Sequence, residues 1–217
     1  FMKQFLIIGL GNFGYNLACE LFKIGNEVIV VDSNEILINK IKENVSHAII
    51  ADAKQVDNIK DFISKKTDAV ILNLGESLEE TVLVTLAVKK LGVKNIIVKV
   101  TNEEHGMIVK KLGATEIIIP ERDYAKQMSK ILTSENLLDY LPLSPEYGIY
   151  EIALPDHFTG KRLNELNIRK KYNVNVVAIK DILKDITIIN PEPDFKFIPD
   201  MVLYLLGKSD DIINLKK

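Results

Sequence analysis

The chain has 217 residues, 47% of them hydrophobic, and 28 basic against 30 acidic side chains leave a formal net charge of -2. That length holds one large or two small domains with a real core, and the near-neutral balance excludes a globally basic nucleic-acid binder or a polybasic membrane-surface protein. The single cysteine, Cys19, excludes an internal disulfide and fits a reducing, cytoplasmic compartment. There is no signal-peptide pattern and no apolar run near ~18 residues, so any membrane association is expected to go through another protein. Phe1 ahead of Met2 reads as an expression remnant.

The first apolar run, Phe5 to Ile8, leads into Gly9-Leu10-Gly11-Asn12-Phe13-Gly14 and then into Leu17, Ala18, Leu21 and Phe22 at helical spacing. This predicts a strand, a tight turn and a helix: Gly9 for the turn, Gly11 for close approach of a pyrophosphate, and Gly14 for helix-on-strand packing. Gly25 stops the helix, and a second strand, Glu27 to Val31, ends in Asp32, eighteen residues after Gly14, where a ribose-binding acid is expected. Asn34 caps a helix carrying Ile36, Leu37 and Ile41, and His47 to Ala51 reads as a third strand ending at Asp52-Ala53. Val56, Ile59, Phe62 and Ile63 suit a helix, Ala69 to Leu74 a buried parallel strand, and Leu78 to Leu91 a helix stopped by Gly92. Asn95 to Val100 is the fifth strand, Glu103 to Leu112 a helix stopped by Gly113, and Glu116 to Ile119 a sixth strand closed by Pro120. The expected class is α/β, a Rossmann-like doubly wound parallel sheet.

Glu121 to Leu138 breaks the alternation as a long charged segment with Tyr124, Met128, Ile131, Leu132, Leu137 and Leu138 at its apolar positions, read as a helical arm that dimerises. Pro142-Leu143-Ser144-Pro145 cannot continue a helix and is taken as the linker, which divides the chain into domains 1–141 and 142–217. The remainder reads as a small α+β module: strands at Ile149 to Leu154, Val174 to Ile179, Ile186 to Ile189 and Met201 to Leu206, a short helix near Leu163, and a loop marked by Pro191, Pro193 and Pro199. Catalytic chemistry is hard to place. His47, His105 and His157 stand at a strand start, in a helix and in a loop, and no Cys/His cluster suggests zinc. Gly75-Glu76-Ser77 lacks the second glycine of a nucleophile turn. A nucleotide pocket without apparatus to react the nucleotide points to sensing; the alternative is a small NAD-dependent oxidoreductase. A Rossmann-type redox transcription factor lacks room for a DNA-binding element.

Gly9 to Gly14, Asp32, Asp52-Ala53, Lys99 and Ile119-Pro120-Glu121-Arg122-Asp123 together resemble the RCK or KTN regulators of potassium transport. Ser134 to Tyr140 and Pro145-Glu146-Tyr147 resemble the KtrA branch, and the last module is similar to the TrkA C-terminal domain. The resemblance covers essentially the whole chain. It implies a non-enzymatic cytoplasmic subunit, peripheral at the inner face of the membrane. Homodimers of that subunit would assemble into an octameric ring beneath a potassium-translocating subunit of the KtrB or TrkH type. It further implies that Gly9, Gly11, Asn12, Phe13 and Gly14 hold the phosphates of ATP, ADP or NAD(H), and that Asp32 and Ser33 meet the ribose. Asp52, Ala53 and Gly75 line the cleft, and Lys99 neutralises phosphate. From the residues alone, Lys99 is equally a solvated strand end. Glu121 matches an acid that approaches the phosphates with Mg²⁺ or Na⁺, a cation being needed to offset its repulsion. Asn12 departs from the Arg of several KtrA-like sequences and removes a guanidinium fork, which leaves the choice among ATP, ADP and NAD open. In the second module Leu163, Ile168, Arg169, Asn175 and Pro191 match positions resembling a cyclic di-AMP site, with Lys170 as a departure beside Arg169. Read without the resemblance, these residues are an Arg on a helix end and an ordinary core.

Overall fold

The computed structural model describes residues 2–134 and 136–215, so Phe1 and Glu135 of the Ser134 to Tyr140 stretch lie outside the described residues. The chain divides into two compact units, Phe1–Pro120 and Glu121–Lys217.

In the first unit each apolar run becomes a strand: β1 (Gln4–Ile8), β2 (Glu27–Asp32), β3 (His47–Ile50), β4 (Thr67–Leu72), β5 (Ile96–Lys99) and β6 (Glu116–Ile118). All neighbours pair in parallel, in the order β3-β2-β1-β4-β5-β6. The crossovers are α1 (Asn12–Lys23), α2 (Glu35–Ile41), α3 (Asp57–Lys60), α4 (Leu78–Lys90) and α5 (Glu103–Leu112). The runs are apolar throughout because helices cover both faces. On β1, Leu6 and Ile8 join a core with Val84 and Val88 of α4, while Ile7 joins another with Ala18 of α1 and Ile38 of α2. Asn34 caps α2 by accepting from the backbone N–H groups of Ile36 and Leu37, and Ser77 caps α4 at Glu80. The helix expected over Val56 to Ile63 shrinks to the single turn α3. Beyond it Phe62 and Ile63 donate three residues back, to Ile59 and Lys60, a tightening that ends the α-helical ladder.

The second unit opens on α6 (Pro120–Leu132) and continues as β7 (Leu137–Pro142), β8 (Tyr147–Ala153), α7 (Leu163–Leu166), α8 (Ile168–Tyr172), β9 (Asn175–Asp181), β10 (Ile186–Ile189), β11 (Met201–Lys208) and α9 (Ser209–Asn214). Its five strands form an antiparallel sheet, β10-β9-β11-β8-β7. One face buries Tyr150, Ile152, Leu203 and Leu205 against Phe158, Ile168, Tyr172 and Phe197. The compact units divide between Pro120 and Glu121, ahead of the boundary expected between residues 141 and 142. Pro142 pairs with Gly148, and Leu143 and Ser144 both donate to the Tyr147 carbonyl, so the Pro-rich stretch turns a hairpin. A proline is tolerated there because β7 is an edge strand. The arm is accordingly a 13-residue helix, and Leu137 and Leu138 belong to β7.

Candidate functional site

At the end of β1 the chain turns sharply, with the Gly9 N–H donating to the Val31 carbonyl at 2.8 Å and Gly9 at φ +95°. A Cβ on Gly9 would stand 2.1 Å from the Asn73 carbonyl oxygen, and one on Gly14 would stand 2.2 Å from the Gly9 carbonyl oxygen. Both glycines are therefore required by packing of the turn itself. Gly11 has a milder restriction, its absent Cβ facing the Asn73 amide at 3.1 Å. Gly11 is also the N-cap of α1, with no side-chain cap and no acid in the first turn. The first helical N–H groups, beginning at Asn12, Phe13 and Gly14, have no carbonyl partner within the helix and carry the positive end of its dipole. Such N–H groups can cradle an anion.

Sheet order puts this turn at the topological switch point, since β1 lies between β2 and β4. There Gly9, Asp32, Ser33, Asp52 and Ala53 line one cleft of about 260 Å³. Asp32 supports the turn as well as the cleft: its Oδ2 accepts from the Leu10 N–H at 2.5 Å and its Oδ1 from the Asn34 N–H at 2.7 Å. Asp52 closes its own loop by accepting from the Lys54 N–H at 2.9 Å. Gly75, at φ +72°, follows the lining residue Leu74. Lys99 ends β5, two strands from β1, and does not line this cleft; Glu121 is in the first turn of α6, in the other unit. Among the described residues no group of three or more His, Cys, Asp or Glu side chains is placed to hold a metal ion.

Three lining residues escape the sequence reading. Asn73, buried at the end of β4, donates from Nδ2 to the Gly9 carbonyl at 3.2 Å and ties the turn to the next strand. A polar residue inside an apolar strand run was the available signal. Lys54 and Glu80 meet across the cleft at 3.0 Å, with Asp52 4.0 Å from the same ammonium. The hydrogen bond to Glu80, followed by the charge of Asp52, raises the Lys54 pKa above the ordinary lysine value.

In the second unit Leu163, Ile168, Arg169 and Asn175 line a groove of about 330 Å³ together with Lys170 and Asn167. Asn167 and Asn173 take left-handed conformations on either side of α8, which sets the short helix against the start of β9. Pro191, beyond β10, does not line the groove. Lys170 adds a second cation beside Arg169, so the groove suits a ligand with phosphate groups and apolar ring faces.

The TrkA-N domain family matches residues 5–120, and the TrkA-C domain family matches residues 149–217. The Ktr system potassium uptake protein C of Bacillus subtilis (strain 168) is 37% identical over 215 residues, covering 99% of this chain and 96% of that protein. The Ktr system potassium uptake protein A of the same organism is 35% identical over 213 residues, 97% of this chain and 94% of the relative. Its counterpart in Vibrio alginolyticus is 31% identical over 221 residues, 99% and 97% of the two chains. Among solved structures, the GsuK channel superposes with a TM-score of 0.69 at 18% identity over all of this chain and 39% of that one. The GsuK channel bound to NAD gives 0.65 at 17% identity, over 97% and 38%. This chain thus spans well under half of those solved chains, and at such identities the likeness is one of fold.

Proposed function

Because the chain belongs to the TrkA-N and TrkA-C family of potassium uptake proteins, we propose that it is a regulatory subunit that binds nucleotides and does not turn them over. In this reading the first unit takes ATP, ADP or NAD(H), with phosphate on the α1 N-terminus and ribose at Asp32. The second takes cyclic di-AMP in the groove of Arg169 and Asn175. The protein acts on a membrane potassium-translocating subunit of the KtrB or TrkH type from the inner face of the membrane, as homodimers assembled into an octameric ring. No helix among the described residues is long and apolar enough to cross a membrane. The reading also includes Mg²⁺ or Na⁺ at Glu121, a cation being needed wherever a carboxylate and phosphates come together.

The observation that carries the reading is the glycine turn at the switch point, packed against Asn73 so closely that Gly9 and Gly14 admit no side chain, followed by an uncapped helix N-terminus and with Asp32 at the next strand end. A ligand regulates only as far as it binds two arrangements of the protein unequally, so a site between strand ends and loops suits the role. Calorimetry with ATP, ADP, NADH and cyclic di-AMP tests it. The expected outcome is binding without consumption of the nucleotide. Sustained nucleotide-dependent oxidation or reduction of a substrate would overturn the regulatory reading in favour of an oxidoreductase.

A further inference from the structure

The cleft in the first unit is electrically lopsided. It takes in Gly9 of the glycine turn but none of Gly11, Asn12, Phe13 and Gly14, and Asp32, Asp52 and Glu80 place three carboxylates on its wall. Lys54 is the one cation among the described residues that line it. Its ammonium is engaged, with Glu80 Oε1 on α4 at 3.0 Å and Asp52 Oδ2 at 4.0 Å. Both partners are held by their own backbones. The Lys54 N–H is fixed by Asp52 Oδ1, and the Glu80 N–H by Ser77 Oγ at 3.3 Å. Asp32, in turn, meets two backbone N–H groups, one on each oxygen, which softens the negative field it presents to a ligand. Repulsion by Asp32 is then a weakened barrier to a phosphate on the sugar, and a free lysine in the same cleft would weaken it further.

Resting on the nucleotide reading above, we propose that Glu80 determines specificity: by holding Lys54 it withholds the ammonium from the sugar end, so that the cleft takes a ribose with free hydroxyls and rejects one bearing a phosphate. Glu80 acts through Lys54 and is not required for the anion cradle at the glycine turn. Its substitution therefore changes which nucleotide is preferred.

The test is calorimetry of two matched pairs, NAD with NADP and ADP with adenosine 2′,5′-bisphosphate, on the parent chain, E80Q, K54M and K54M/E80Q. The parent is expected to prefer the member without the 2′-phosphate. In E80Q that preference should narrow by up to roughly fivefold, through tighter binding of the phosphorylated member, the scale of one partly exposed ion pair. K54M/E80Q should return to the parent preference, and K54M should keep it. An unchanged ratio in E80Q, or a narrowing that survives removal of Lys54, overturns the assignment while leaving the nucleotide reading in place. A parent chain that binds none of the four compounds overturns both.

Discussion

Asp32 holds two jobs that substitution cannot separate by affinity alone. Its carboxylate accepts from the N–H of Leu10 and of Asn34, so Asp32→Ala strips acceptors from the glycine turn and from the start of α2. Urea unfolding without nucleotide should show the variant less stable by about 1–3 kcal/mol, the cost of leaving such groups unpaired, with nucleotide affinity falling by a similar amount. An unchanged midpoint would remove Asp32 from the support of the turn. Asp181 offers a second test at this scale. It is 7% exposed at the end of β9, and the Lys184 ammonium, hydrogen-bonded to Oδ2 at 3.0 Å, holds its carboxyl below the usual carboxylate range against the opposing pull of desolvation. A folded pKa below the unfolded value near ~3.9 gives stability that is complete above that value and is lost as pH falls through the folded one. Unfolding curves should therefore show the parent chain ahead of Asp181→Asn at neutral pH and the gap closing below about pH 4. A gap that stays constant into acid would contradict the ion pair.

At the scale of elements, α6 poses the clearest question. A helix of 13 residues is marginal alone, and one side of this one is tied down: Gln127 Nε2 donates to Asp139 Oδ1 at 2.6 Å, and Lys130 stands 4.6 Å from the centre of the Tyr140 ring. No residue of α6 is fully buried. Tyr124 is 63% exposed and Leu132 78%, with Met128 and Ile131 completing an apolar stripe at spacings of four and three. Burying that stripe against a second copy would stabilise both copies, which is the ground for proposing dimerisation through the arm. Tyr124→Asp combined with Leu132→Asp should lower the mass measured by light scattering at micromolar concentration. Stability of the separated chain should change by less than about 1 kcal/mol, since both sites are exposed. A double variant that keeps the parent mass would place the interface elsewhere.

For the whole molecule, the division at Pro120 puts the two candidate ligand sites in separate units that share no lining residue. Perturbations of one site should then leave the affinity of the other nearly unchanged. Cyclic di-AMP has two equivalent phosphates and two adenines, and a two-fold pair of second units presents Arg169 and Asn175 twice, so one ligand per two chains is expected. Arg169→Ala removes a charge-assisted contact from both halves at once and should cost on the order of 3 kcal/mol in cyclic di-AMP binding by calorimetry. Nucleotide binding in the first unit should be untouched. A stoichiometry of one ligand per chain would rule out the two-fold site.

The order and kind of the first twelve or so elements were legible in the chain because they depend on near neighbours: apolar runs bounded by Gly25, Gly92 and Gly113, a cap at Asn34, and a turn that admits only glycine at positions 9 and 14. Asp32 was legible for the same reason, through its distance along the chain from that turn. What the chain could not reveal was settled by contacts between residues far apart in sequence. Pro142 reads identically in a linker and in a hairpin, and only the pairing of Leu141 with Ile149 and of Pro142 with Gly148 draws β7 into the second sheet. Lys54 and Glu80 carry no local signature either, and Asn73 only that of a polar residue inside an apolar run. They reach one cleft because parallel strands joined by crossovers bring the ends of β1, β2, β3 and β4 to the same edge of the sheet, and that convergence exists only once the sheet has formed.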